Sequence, residues 1–76
     1  MKILLNTLEK VKNFVNIISK YESEAILESE NHIVDAKSIL GIFSLNLTNP
    51  MNLTLQGTNI EENKKILKEI EIFLNN

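Results

Sequence analysis

The spacing of apolar positions divides the chain into seven elements. Lys2 to Leu5 is a short, mostly apolar run that predicts a strand. Leu8, Val11, Val15 and Ile18 then recur at intervals of three and four, with Phe14 alongside and Lys10, Lys12, Asn13 and Asn16 mostly opposite. That pattern predicts an amphipathic helix ending near Ser19-Lys20. Asn6, three residues before Glu9, has the spacing of a capping box, in which each side chain satisfies an amide of the first turn. Glu24 to Glu28 and His32 to Asp35 read as the strands of a hairpin joined by the polar turn Ser29-Glu30-Asn31. A short helix is expected from Ser38 to Leu45. Asn49-Pro50 follows as a turn, because the residue before proline is pushed out of helical geometry. Met51, Leu53 and Leu55 alternate with Asn52, Thr54 and Gln56 as in a half-buried strand, and Gly57 ends it. Asn59 and Glu62 form a second capping box. They open a helix in which Ile66, Leu67, Ile70, Phe73 and Leu74 make a continuous apolar stripe, with Glu61, Lys64, Lys65, Lys68 and Glu71 facing mainly water.

The order βαββαβα predicts an α+β fold, an open-faced two-layer sandwich with both long helices on one face of a four-stranded, mainly antiparallel sheet. Its 76 residues make a single domain, residues 1–76. A domain of that size buries roughly 60–65% of its unfolded surface. With 43% hydrophobic and 24% charged residues the composition is that of a globular protein. Cysteine is absent, which removes disulfides, thiolate catalysis and thiolate metal ligands together and makes a reducing cytoplasm the default compartment. No apolar run approaches the roughly 20 residues of a membrane span, and Met1 to Leu5 is too short for the apolar core of a signal peptide. No membrane partner is therefore expected.

Charge narrows the function classes further. A net charge of −2 argues against nucleic acid, whose phosphates demand a basic surface. The eight basic residues are all lysines, so the chain lacks the guanidinium fork that grips phosphate bidentately. His32, the single histidine, falls at the hairpin turn and reads as an exposed turn residue; alone it is a poor metal site. Glu22, Glu24, Glu28 and Glu30 read as a solvated hairpin face, since they do not follow the loop pattern of a calcium site. No catalytic residue, metal or cofactor is expected. Ser38 has the position of a helix N-cap. Ile39, Leu40, Ile42, Phe43 and Leu45 cannot all point inward from one short helix, so Ile39, Leu40 and Phe43 are expected to face outward as an apolar interaction patch.

The same residues resemble the HPr (histidine-containing phosphocarrier) family. Ser19-Lys20-Tyr21 closes the first helix, the hairpin follows, and Lys37-Ser38-Ile39-Leu40-Gly41 matches the family's Lys-Ser-Ile-hydrophobic-Gly segment without a gap. The likeness continues through Ser44-Leu45, the Met51–Leu55 strand and the last helix. It implies the HPr-like sandwich, with Ser38 as a regulatory phosphorylation site and Lys37, Ile39, Leu40 and Phe43 as the docking face for partner proteins. Phosphorylation would add about −1.5 to −2 charges there.

The departure from the family lies at the front. Members carry a glycine-containing loop ending in His-Ala-Arg-Pro, whose histidine accepts the phosphate; here Leu5 is followed only by Asn6-Thr7-Leu8-Glu9. Counting back from Ser19 places Thr7 where the histidine would fall and Glu9 where the arginine would. A hydroxyl does not replace imidazole in fast reversible phosphoryl exchange near neutral pH, and Glu9 would repel the phosphate. The resemblance thus implies a non-catalytic regulatory member, similar in type to those that lack the histidine and act once their serine is phosphorylated. Its expected partners are an HPr kinase, a transcription regulator or another phosphotransferase-system protein. Two rival expectations stand beside it: a phosphocarrier of the sugar phosphotransferase system, and a constitutive homodimer closed through the short helix.

Overall fold

The computed structural model describes residues 1–75. Its elements are β1 (Lys2–Ile3), α1 (Leu8–Ile18), β2 (Ala25–Ser29), β3 (His32–Asp35), α2 (Ile39–Phe43), β4 (Met51–Leu55) and α3 (Ile60–Glu69), which tightens into a 3-10 turn over Ile70–Phe73. The four strands form one sheet in the order β1-β4-β2-β3, every pair antiparallel. The expected α+β open-faced sandwich is what the chain adopts.

Alternation builds the covered face. Leu27 pairs with Leu53 across β2 and β4, and Ala25 with Leu55. Ala25, Leu27, Met51 and Leu53 are buried, while Glu28, Asn52 and Thr54 on the intervening positions are exposed. Val11, Phe14 and Ile18 of α1 and Ile66, Ile70 and Phe73 at the carboxyl end pack onto this face. Phe14 stands at the centre of the helix layer, its ring meeting that of Phe73 edge to face at 5.8 Å and 82°. That is the geometry aromatic quadrupoles favour.

The hairpin turn is shorter than the polar run suggested. Ser29 belongs to β2 and pairs with His32, leaving only Glu30 and Asn31 in the loop. Both have positive φ, 50° and 70°, the backbone of a type I′ turn, whose twist matches that of the flanking strands.

Three further expectations are corrected. The first strand ends at Ile3 instead of Leu5, because the Leu4 N–H turns away from β4 and donates to the carbonyl of Phe73 at 2.8 Å. The cap of α1 is Thr7 and not Asn6: the Thr7 hydroxyl accepts from the Lys10 N–H at 3.1 Å, and Asn6 instead accepts from the Lys10 ammonium at 3.0 Å. The start shifts by one residue, and Leu8 lands in the first turn at 53% exposure, off the apolar stripe. Finally, the last helix is not continuous. Its α-helical hydrogen bonding gives way to the 3-10 turn at Ile70, and at Leu74 the backbone becomes extended and bridges Ile3 on the outer edge of β1. Phe73 stays buried through the tightened turn, whereas Leu67 before it and Leu74 beyond it are partly exposed.

Candidate functional site

Ser38 sits where β3 hands the chain to α2. Asp35 organises the connection: its carboxylate accepts from the Lys37 N–H at 2.8 Å, and its carbonyl from the Ser38 N–H at 3.0 Å. Ser38 then has extended backbone angles, and its hydroxyl accepts from the Gly41 N–H at 3.0 Å, capping α2. Gly41 sits in a tight space. A Cβ there would stand 3.1 Å from the Ser38 hydroxyl oxygen and 3.3 Å from the Cβ of Val34, so its absence lets α2 lie close on β3 while the serine reaches its amide.

α2 divides as an amphipathic helix does. Ile42 is fully buried, and Leu45 just beyond is nearly so, whereas Leu40 is 79% exposed and Phe43 40%. Ile39, expected to face outward, is half-buried against the core. It follows the cap directly and turns towards the domain, so the outward apolar pair is Leu40 and Phe43 at i and i+3. Lys37 is engaged: its ammonium donates to the carbonyl of Tyr21 at 2.8 Å and lies 3.9 Å from Glu24.

The front of α1 carries no imidazole. Thr7, which is exposed, caps the helix there. The one histidine is elsewhere, on the exposed hairpin tip, with its Nδ1 3.1 Å from the Glu30 carbonyl. Among the described residues no group of three or more histidine, aspartate or glutamate side chains is placed to hold a metal ion. Among the described residues no helix is long and apolar enough to cross a membrane.

A second polar cluster, not anticipated from the sequence, fastens the loop after α1. Glu69 accepts from the Lys20 ammonium at 2.8 Å and from the Tyr21 hydroxyl. Glu62 accepts from the Ser23 N–H at 2.8 Å and from the Ser23 hydroxyl. Asn59 does cap α3, accepting from the Glu62 N–H at 3.0 Å, but the Glu62 side chain does not return to close the box. The Ser23 hydroxyl holds the Glu62 carboxyl below its ordinary range, the Lys20 ammonium does the same for Glu69, and hydrogen bonding to Glu69 raises the Tyr21 phenol. The sequence held one hint, since Glu62 and Glu69 are two helical turns apart and so share a face.

A two-layer antiparallel sandwich with a serine-capped short helix beside an outward apolar pair defines a class, that of the HPr proteins. The family model for the PTS HPr component phosphorylation site matches residues 9–76, and the chain belongs to the HPr family. Among solved structures it is similar to HPr-C-His from Thermoanaerobacter tengcongensis, at 33% identity over 92% of this chain and 84% of that one, with a TM-score of 0.73. It is also similar to the catabolite repression protein Crh of Bacillus subtilis, at 25% identity over 100% of this chain and 90% of that one, with a TM-score of 0.66. That Crh structure is a dimer with a swapping domain. No curated protein sequence matches the chain.

Proposed function

We propose that this chain is a regulatory interaction protein of the HPr family that acts by binding, switched by phosphorylation of Ser38, and does not relay phosphate. The observation that carries the reading is Thr7 at the N-cap of α1, with its hydroxyl bound to the Lys10 N–H and no imidazole beside it. A threonine ester in that position would be neither formed nor discharged at carrier speed. Recognition then falls to the other feature the family shares, the Lys37-Ser38 segment with Leu40 and Phe43 exposed one turn on. A phosphate on Ser38 would place dianionic charge beside an apolar pair, a surface a protein partner reads differently from the unmodified one. Ile39 supports that surface from its half-buried position, and Lys37 supplies the adjacent cation. Likeness to Crh favours a partner among transcription regulators, with an HPr kinase as the modifying enzyme.

Incubation with ATP and an HPr kinase is expected to add one phosphate, lost in Ser38→Ala. An unmodified wild-type chain would remove the switch from this reading. Incubation with phosphoenolpyruvate and the upstream phosphotransferase-system kinase is expected to leave the chain without acid-labile phosphate; rapid labelling would make it a phosphocarrier after all. The swapped dimer of Crh favours self-association in general, and the outward Leu40 and Phe43 support a second reading in which this chain forms a constitutive homodimer closed through α2. Under it Leu40→Asp separates the copies, whether or not Ser38 is phosphorylated.

A further inference from the structure

Along the outer side of α3 and the 3-10 turn that continues it, Ile60 and Leu67 are followed, again seven residues on, by Leu74 where the chain leaves the turn. They are 68%, 38% and 39% exposed, in contrast to the buried Ile66, Ile70 and Phe73 of the inner side. Met1 joins Leu67 and Leu74 in a groove of about 460 Å³, which Lys64, Lys68 and Glu71 also line. The groove lies where the helix narrows at Ile70 and the chain then extends from Leu74 along β1. A partly exposed apolar groove flanked by charges, with Leu67 at its centre, is a surface that another helix can cover.

The order of charges says which helix. Lys64 and Glu71 are themselves seven apart and flank Leu67 on one side, the lysine about a turn before it and the glutamate about a turn after. Among the described residues neither is in an ion pair. A two-fold axis crossing α3 beside Leu67 would set Lys64 of each copy opposite Glu71 of the other, making both pairs at once. The same axis brings Leu67 against its own copy and Ile60 against Leu74. A parallel arrangement would instead oppose like charges.

We infer that the outer face of α3 is an antiparallel homodimer interface, whose occupant is a second copy of this chain. Lys68 lies near the axis on the outer rim and approaches its own copy. Its stem can cover Leu67 while its ammonium reaches water, but the like charges hold the affinity down. The stripe is also short against the total of about 1,600 Å² buried in a standard interface, so the association is weak and reversible. The interface uses neither Ser38 nor α2, and it stands or falls independently of the proposed switch.

Sedimentation equilibrium of the full chain from micromolar to millimolar concentration, at low salt, tests it. The expected result is a reversible dimer that Lys64→Glu and Glu71→Lys each weaken about tenfold, while the double reversal restores it to within about threefold. Lys68→Gln is expected to tighten it, whereas a groove built for an acidic foreign helix would have no such response. A chain that stays monomeric at millimolar concentration overturns the inference. So does a dimer indifferent to both single reversals, a double reversal without recovery, or a weaker dimer in Lys68→Gln. All three positions are exposed, and thermal melts establish that each variant is folded.

Discussion

The Glu62 carboxylate accepts both the N–H and the hydroxyl of Ser23, a residue 39 positions away, instead of folding back on its own helix. Glu69, two turns further along α3, takes Lys20 and Tyr21 in the same way. Together they clamp the loop between α1 and β2 onto the last helix. The Lys37 ammonium also grips the Tyr21 carbonyl, so the segment leading into Ser38 is fastened to the same loop.

This clamp sets a pH dependence. Both carboxyls have folded-state values below the ordinary 4.5, so the folded state favours their ionised forms. Their contribution is complete above the unfolded value and is lost as pH falls below 4.5 through the lower folded values. Urea midpoints measured from neutral pH down to about pH 3 are expected to fall over that window. In the Glu62→Gln/Glu69→Gln double variant the fall is expected to be shallower. Tyr21 has the opposite sign: its raised value means that its contribution holds below pH 10 and is lost as pH rises through the folded value.

Gly57→Ala is expected to destabilise the domain by about 1–3 kcal/mol. An added Cβ would stand 2.1 Å from the Ser23 hydroxyl oxygen, 2.7 Å from its Cβ and 3.2 Å from its Cα. Rotation of the hydroxyl relieves only the first of these, so the strand end and the loop must separate. That movement also strains the Asn63 side-chain bond to the Gly57 carbonyl, 3.0 Å long. A urea midpoint equal to that of the wild type would show that the loop yields freely.

Much of this architecture was legible because it is local. The alternation of Met51, Leu53 and Leu55 marks β4, which ends at Leu55, one residue before the Gln56 that the alternation included, and Asn59 caps α3 as its spacing indicates. Where local signals compete, they mislead. Asn6 and Thr7 are both good caps, and the Asn6–Glu9 spacing favours the wrong one; geometry gives the Lys10 amide to Thr7. Ile39 and Leu40 are equally apolar neighbours, and only the docking of α2 on β3 turns one inward and the other out. The end of α3 and the Glu62 and Glu69 clamp were hidden for a different reason. Leu74 meets Ile3, and Tyr21 meets Glu69 across 48 positions, contacts that no local periodicity encodes.

Phe14→Ala is expected to cost about 3–5 kcal/mol. The ring is fully buried and packs edge to face on Phe73, so its removal leaves a cavity between α1 and the carboxyl-terminal turn. A domain of this size has a total stability of only several kcal/mol. The variant is expected to be largely unfolded in urea concentrations that leave the wild type intact, and circular dichroism would detect this.

Ser38→Ala tests the cap separately from the switch. The hydroxyl bonds one amide of α2, that of Gly41, and substitution of an N-cap serine by alanine typically costs about 1 kcal/mol. Ser38→Asp keeps an acceptor at the cap and is expected to leave the urea midpoint near that of the wild type, because aspartate is as good an N-cap as serine. The two variants therefore separate folding from recognition. If Ser38→Ala lowered partner binding only by loosening α2, Ser38→Asp would bind as the unmodified wild type does. If the partner reads charge beside Leu40 and Phe43, Ser38→Asp shifts binding towards that of the phosphorylated chain while the midpoint stays in place. A Ser38→Asp midpoint as low as that of Ser38→Ala would show that the cap is not met by a carboxylate there, and the comparison would then rest on Ser38→Thr, which retains the hydroxyl.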